Sequence, residues 1–260
     1  GITKTTLDNY LRRESIPVTL FKDLYDGDNE KLLEKIPNDV ELGMNSDNVS
    51  TARFVTLDEE LACLIGYYTA EGFTRRKEDE RVDREQVGST HTDIAATEEV
   101  AREFIKKVFN KKFNVNDIYE GPKRLTVSGN LVRFFFRFIL DSGKLAHTKT
   151  VPQLIEQSSD SIVGSYLSGY ISGDGCMPNT KYSQISTSTV SEELNEDLAE
   201  CFQRIGFKPN TYEEDPVPLV KKFPDYYDED YEGMSKKSYK IQLSPSESKE
   251  FVRRHGIQID

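Results

Sequence analysis

The chain has 260 residues, enough for one large domain or two with a small addition, and enough to bury a core without disulfide or metal staples. Hydrophobic residues make up 36% and charged residues 30%, with no tryptophan, and no apolar run approaches the roughly 20 residues that span a bilayer. A membrane protein is therefore not expected. Without a charged-then-apolar leader at Gly1, an intracellular, cytoplasmic setting is. The three cysteines (Cys63, Cys176, Cys201) and three histidines (His91, His147, His255) lie far apart in the chain. With no C-x-x-C or H-x-x-x-H spacing, neither a zinc site nor a disulfide framework is expected. A net charge of −11 runs against a nucleic-acid partner. Much of the excess is local, however: Glu213, Glu214, Asp215, Asp225, Asp228, Glu229, Asp230 and Glu232 share a stretch with Pro216, Pro218, Pro224 and Gly233. That stretch reads as an irregular acidic loop, and the distribution of charge outweighs its sum.

Residues 1–55 alternate short helical signals with breakers and read as an N-terminal helical or linker segment. Thr6-Leu7-Asp8 opens a short helix, Pro17 interrupts, Val18–Leu24 follows, and residues 39–50 are turn-rich. Thr56 then stands as an N-cap with Glu59 three positions on, ahead of the strongly apolar run Leu57–Ala70.

An internal repeat organises the rest. One copy reads Leu64-Ile-Gly-Tyr-Tyr-Thr-Ala-Glu71-Gly72, the other Leu167-Ser-Gly-Tyr-Ile-Ser-Gly-Asp174-Gly175. Each is an apolar helix ending in an acid and a glycine. Each is followed by a strand-like stretch (86–92; 182–189), a capped amphipathic helix (97–109; 191–202), a second strand with alternate apolar positions, and a closing helix (131–140; 247–255). Residues 75–85 form a charged insertion in the first copy, and the acidic loop is the insertion in the second. The boundaries that follow are 1–55, 56–152 and 153–260.

Gly66 with Ala70, and Gly169 with Gly173, stand at i, i+4 and offer a close helix-packing face. The terminal glycines, Gly72 and Gly175, suit a left-handed C-cap. Side-by-side packing brings Glu71 and Asp174 together at helix C-termini, where the macrodipole already disfavours negative charge. Carboxylates held so either share a proton or bind a cation. Oxygen ligands without His or Cys suit Mg²⁺, and metals flanking a phosphodiester stabilise an in-line displacement.

Over roughly residues 56–260, the paired signatures resemble those of the LAGLIDADG homing endonucleases, in particular the archaeal intein-encoded, dodecapeptide branch. The first copy departs in carrying Glu71 for the usual Asp and the bulky Tyr67-Tyr68. The resemblance implies an α+β fold, a pseudo-twofold duplicated αββαββα saddle in which two four-stranded antiparallel sheets straddle the DNA major groove. It implies a monomeric, site-specific double-strand DNA endonuclease that uses Mg²⁺ or Mn²⁺, cutting across the minor groove to leave cohesive 3′ ends. Glu71 and Asp174 become the metal ligands, with the carbonyls of Ala70 and Gly173 as helpers. Lys149, in Lys149-Thr-Val-Pro152, takes the place of an active-site lysine that neutralises transition-state charge or polarises the attacking water. For the second copy the equivalent lysine falls beyond Asp260, leaving Lys240 or Lys249, of which Lys240 is favoured.

Strand alternation supplies DNA contacts. With Ile185 and Thr187 inward, Tyr182, Gln184, Ser186 and Ser188 face out. With Leu125 and Val127 inward, Arg124, Thr126 and Ser128 do so, and with Ile241 and Leu243 inward, Lys240 and Gln242 follow. Arg75-Arg76-Lys77 can grip a backbone but is offset by Glu78-Asp79-Glu80. Lys106-Lys107 and Lys111-Lys112 read as a solvated helix face. Two other readings stand beside the nuclease. One is an inactive relative that only binds nucleic acid, as an RNA-splicing maturase or transcription regulator, and the other is a helical adaptor whose signature helices are simply core. With Gly1 at one end and Ile259-Asp260 at the other, protein splicing by this chain is not expected.

Overall fold

A computed structural model describes residues 3–13, 15, 17, 20, 29–44, 49–75, 86–91, 94–110, 114–116, 123–143, 146–176, 184–222 and 232–257. The chain divides into two units, Gly1–Leu42 with Ala52–Phe54, and Gly43–Thr51 with Val55–Asp260. In the first, helix α1 (Lys4–Arg12) opens with the Thr3 hydroxyl accepting the Thr6 amide at 3.2 Å, and α2 (Asn29–Lys35) follows. Arg53 returns to this unit and donates to the Ile36 carbonyl and to Asn38 Oδ1. The short strands β1 (Glu41–Gly43) and β2 (Ser50–Ala52) lie where the chain passes between the units.

The second unit holds both repeats. The first runs α3 (Glu59–Glu71), β3 (Gly72–Arg75), β4 (Gln86–His91), α4 (Ile94–Val108), β5 (Asn114–Asn116), β6 (Lys123–Ser128) and α5 (Asn130–Phe134). After short α6 (Gln153–Glu156), the second runs α7 (Asp160–Asp174), β7 (Gly175–Cys176), β8 (Ser186–Thr189), α8 (Glu192–Arg204), β9 (Asn210–Glu214), short α9 (Leu219–Lys222), β10 (Ser238–Gln242) and α10 (Pro245–His255). Two four-stranded antiparallel sheets have the same strand order, β3-β4-β6-β5 and β7-β8-β10-β9. This is the duplicated αββαββα architecture, an α+β fold.

The sequence dictates why α3 and α7 sit at the centre. A helix apolar on every side has no face to give to water and must be enclosed. In α7, Val163, Tyr166, Leu167, Tyr170 and Ile171 are all fully buried. The flanking α8 is amphipathic instead, burying Leu194, Leu198, Cys201 and Phe202 while Glu192, Glu193, Glu196 and Glu200 face solvent. Beneath the second sheet, Ile185, Thr187, Ile241 and Leu243 meet an aromatic cluster in which Phe251 lies 5.6 Å from Phe202 and 5.4 Å from Phe207.

Several local details differ from the sequence-based expectation. Helix α3 is capped by Asp58, not Thr56: the Asp58 carboxylate accepts the Leu61 amide at 2.8 Å. Its other oxygen meets Lys107 of α4 at 2.7 Å, and Lys107 also reaches Glu60 at 2.5 Å. Lys107 is therefore a tie between the two helices rather than part of a solvated face, and its hydrogen bond holds the Asp58 pKa below the ordinary carboxylate value. The closing helix of the first repeat breaks after Phe134 into a π turn, Phe135–Leu140, which stops at Asp141 in the left-handed region (φ 47°). The wider turn buries Phe136 and Leu140 and leaves Phe134, Phe138 and Ile139 facing out. The last helix starts at Pro245, with Ser244 and Glu247 forming a full capping box. The acidic stretch is not wholly irregular, because Glu213 and Glu214 belong to β9. There they find cations across the sheet, Lys237 at 2.7 Å and Lys240 at 2.5 Å.

Candidate active site

Helices α3 and α7 touch backbone to backbone. A Cβ on Gly66 would lie 1.9 Å from the Tyr166 carbonyl oxygen, and one on Gly169 would lie 1.8 Å from the Cys63 carbonyl oxygen. These contacts are reciprocal, since Tyr166 holds the place in the second copy that Cys63 holds in the first. Further along, a Cβ on Gly173 would stand 2.5 Å from the Ala70 Cβ and 3.2 Å from Glu71 Cγ. The small residues thus carry the crossing to the last turn, where each helix ends in its acid.

The glycines after the acids do not adopt the left-handed conformation expected of them. Gly72 (φ −77°, ψ 158°) and Gly175 (φ −77°, ψ 145°) are extended, because the chain runs straight from each helix into β3 or β7. Glycine is needed there for room. A Cβ on Gly72 would strike the Tyr68 ring at 2.1 Å, and one on Gly175 the Ile171 carbonyl oxygen at 2.1 Å.

One cation sits over the paired ends. Lys149 Nζ donates to the Ala70 carbonyl at 2.6 Å, a last-turn helix acceptor, and lies in the fields of both Asp174 and Glu71. Burial lowers the Lys149 pKa, while Asp174 and Glu71 pull it back up. Part of Asp174 is open to solvent, yet protein packed around its carboxyl raises its pKa, with Lys149 and Tyr170 acting the other way. The segment carrying Lys149 is fixed from the second repeat. Ser191, the N-cap of α8, accepts the Leu194 amide and donates its hydroxyl to the Lys149 carbonyl at 2.7 Å. The Val151 amide donates to Asp197 at 3.0 Å.

Two residues that the sequence did not single out belong here. Ser191 was legible only as a cap, since its second bond reaches 42 residues back. Tyr170, one turn before Asp174 and wholly buried, sets its hydroxyl beside that carboxyl without closing a hydrogen bond. Burial, with the Asp174 charge next, raises its pKa well above the ordinary value, so it stays a neutral phenol at physiological pH.

Lys240 is not brought to the acids. Its Nζ pairs with Glu214, and strand register gives it another counterpart. Leu125 faces Ser89 and Ile241 faces Thr187, while Ser89 and Thr187 face Gly72 and Gly175. Lys240 therefore occupies the sheet position that Arg124 holds in the first repeat. Gln184, Ser186, Ser188, Lys240 and Gln242 lie on the face away from the helices, with Gln242 Nε2 donating to Gln184 Oε1 at 2.9 Å. Tyr212, 48% exposed on β9, stands opposite Lys240 and extends that face. In the first sheet the register aligns Arg75, Arg124, Thr126 and Ser128 at positions of a single face. Arg76 and Tyr182 lie outside the described residues.

The described residues hold no group of three or more His, Cys, Asp or Glu side chains arranged for a metal. A metal at the helix ends would rest on two carboxylates and backbone carbonyls. That all-oxygen set fits a hard divalent cation, and one member of it, the Ala70 carbonyl, already accepts a charged donor.

Residues 161–243 match the family model of the LAGLIDADG-like domain. The chain is 29% identical to the DNA polymerase II large subunit of Haloquadratum walsbyi over 86% of its length. It is also 29% identical to the protein of that name from Thermococcus kodakarensis, over 74%. In each case it spans only 10% of the relative. Among solved structures, mesophilic variants of the homing endonuclease I-DmoI superpose with a TM-score of 0.53 at 12% identity, covering 77% of this chain and 96% of that one. I-DmoI in complex with DNA and Mn gives 0.53 at 12% identity, covering 77% and 98%. The fold is that of the LAGLIDADG homing endonucleases. No described helix is long and apolar enough to cross a membrane.

Proposed function

We propose that the chain is a site-specific double-strand DNA endonuclease of the intein-type LAGLIDADG branch, acting as an intracellular monomer with internal pseudo-twofold symmetry. The observation that carries this reading is the lysine ammonium held at the Ala70 carbonyl, within the fields of both Glu71 and Asp174 at the ends of the packed helices. The DNA and Mn found with I-DmoI support the partner and the metal class. The polymerase relatives, matched over a tenth of their length, support the intein-type branch and an archaeal source.

Glu71 and Asp174 would hold Mg²⁺ or Mn²⁺, with the Ala70 and Gly173 carbonyls alongside. A divalent cation bound there supplies Lewis-acid charge to the scissile phosphodiester. Lys149 sets its positive charge where the phosphoryl oxygens gain negative charge, and Ser191 holds the backbone that aims it. Tyr170, wholly buried, packs beside Asp174 on the side away from solvent, while the rest of Asp174 stays open to water. The outward residues of the second sheet (Gln184, Ser186, Ser188, Lys240, Gln242), and Arg75, Arg124, Thr126 and Ser128 of the first, supply side chains that read base edges and phosphates. Arg76 and Tyr182 extend the same expectation.

A second reading, an inactive relative that binds nucleic acid without cutting it, is favoured by the pairing of Lys240 with Glu214, which engages elsewhere the residue favoured as the second copy's lysine. Incubation with a randomised duplex library and Mg²⁺ separates the two. The nuclease reading expects a specific sequence to be cut by the wild type and left intact by Asp174→Asn. Retention of a specific sequence without cutting supports the second reading, and neither retention nor cutting rejects both.

A further inference from the structure

We propose that Lys149 and the divalent cation compete for the same oxygens, so that metal enters the acid pair only as the ammonium leaves the Ala70 carbonyl. This deepens the metal reading of the site and rests on it. Ala70 sits in the last turn of α3, where a carbonyl has no helical donor and the end of the helix carries partial negative charge. Lys149 satisfies that carbonyl at 2.6 Å and at the same time answers the charges of Glu71 and Asp174. A divalent ion on these ligands would stand against the ammonium within a few ångströms, and two cations so close repel strongly where packing excludes water. The lysine backbone cannot retreat to relieve this. Ser191 holds its carbonyl, Thr150 donates to Ser142 at 3.3 Å, and Gly143 (φ 82°) lies so close beneath that a Cβ there would meet Lys149 Cα at 2.7 Å. Only the flexible side chain can move, turning its amine outward to the place where a phosphodiester oxygen would lie. One lysine thereby offsets part of the charge of the two acids before metal arrives and supplies the positive charge beside the substrate afterwards.

Mn²⁺ titration of the whole chain without DNA, followed by calorimetry and by the paramagnetic resonance of free Mn²⁺, tests this. Lys149→Met keeps an unbranched side chain, one atom shorter, and removes its charge, and it is expected to bind Mn²⁺ about tenfold more tightly than the wild type. Lys149→Arg, which keeps the charge, is expected to stay near the wild type. In case the Met variant folds poorly, a second measurement uses the wild type alone. Acetylation of Lys149, quantified by mass spectrometry, is expected to rise severalfold at saturating Mn²⁺ as the amine is expelled. Equal or weaker Mn²⁺ binding by Lys149→Met, binding by neither protein, or labelling of Lys149 that does not respond to Mn²⁺ would overturn the proposal. DNA cleavage is scored separately: a protein that cuts its target while failing these tests keeps the nuclease reading and loses the competition.

Discussion

Gly66→Ala is expected to destabilise the protein by about 3 kcal/mol or more, and Gly169→Ala by a similar amount. Each added methyl would have to occupy space less than 2 Å from a carbonyl oxygen of the opposite helix, at 1.9 Å from Tyr166 and 1.8 Å from Cys63. The atoms in the way are backbone, so no rotamer change makes room and the helices must separate. Moving them apart opens the contact among Leu64, Ile65, Leu167 and Ile171, which are all buried, and adds the cost of the space left behind. Chemical denaturation measures the loss, and Gly206→Ala provides the reference. Gly206 has a positive φ of 94° and nothing within 4 Å of an added Cβ, so its cost is backbone strain alone, about 1 kcal/mol. If Gly66→Ala cost no more than Gly206→Ala, the close crossing of α3 and α7 would be wrong. Because the two acids ride on that crossing, cleavage is expected to fall with stability in the glycine variants.

Asp174→Asn has the opposite pattern: cleavage falls by about a thousandfold or more while the melting temperature in chelator rises by about 1–3 °C. The packed surroundings of Asp174 raise its folded pKa above the ordinary 3.8. On raising the pH, the unfolded chain therefore gives up this proton first. Stability falls between pH 3.8 and the folded pKa and remains lower at neutral pH. Asparagine keeps the shape and removes the charge. The expected gain is small because part of the residue faces water and because Lys149 already offsets some of the penalty. A site assembled for function is held at the expense of stability, and neutralising it releases that strain. Thermal melts of both proteins between pH 4 and 8 measure this: the two curves should converge at the acid end and part towards neutrality. A variant that loses both cleavage and stability at neutral pH would mean that the carboxylate is structural.

The centre of the molecule was legible in the sequence because a duplicated pattern constrains itself. Two copies of a small residue four positions after a glycine predict the close crossing of α3 and α7 that the glycine contacts show, and the acid after each is the basis for proposing that Glu71 and Asp174 share a cation. The alternation in 184–188 and 240–243 likewise predicts which side chains of the second sheet are buried. What escaped depended on partners distant in the chain. Asp58 displaces Thr56 as the cap because Lys107, from another helix, holds its second oxygen. Gly72 and Gly175 serve close packing rather than a left-handed turn, which only the strands that follow them reveal. Lys240 drew attention as a lysine in the right half of the chain, but register equates it with Arg124 and the sheet gives it Glu214. Ser191 reads locally as an N-cap, and its bond to the Lys149 carbonyl follows only from the way the two repeats pack.

Crystals of the protein grown with a duplex that it retains and soaked in Mn²⁺ put the shared acid site to the most direct test, through the anomalous scattering of manganese. The expected result is a peak about 2.1 Å from carboxylate oxygens of both Glu71 and Asp174, with the Lys149 amine turned away from the Ala70 carbonyl, and no such peak in Asp174→Asn. Manganese bound elsewhere, or by one of the two acids without the other, would contradict a common cation site at the paired helix ends.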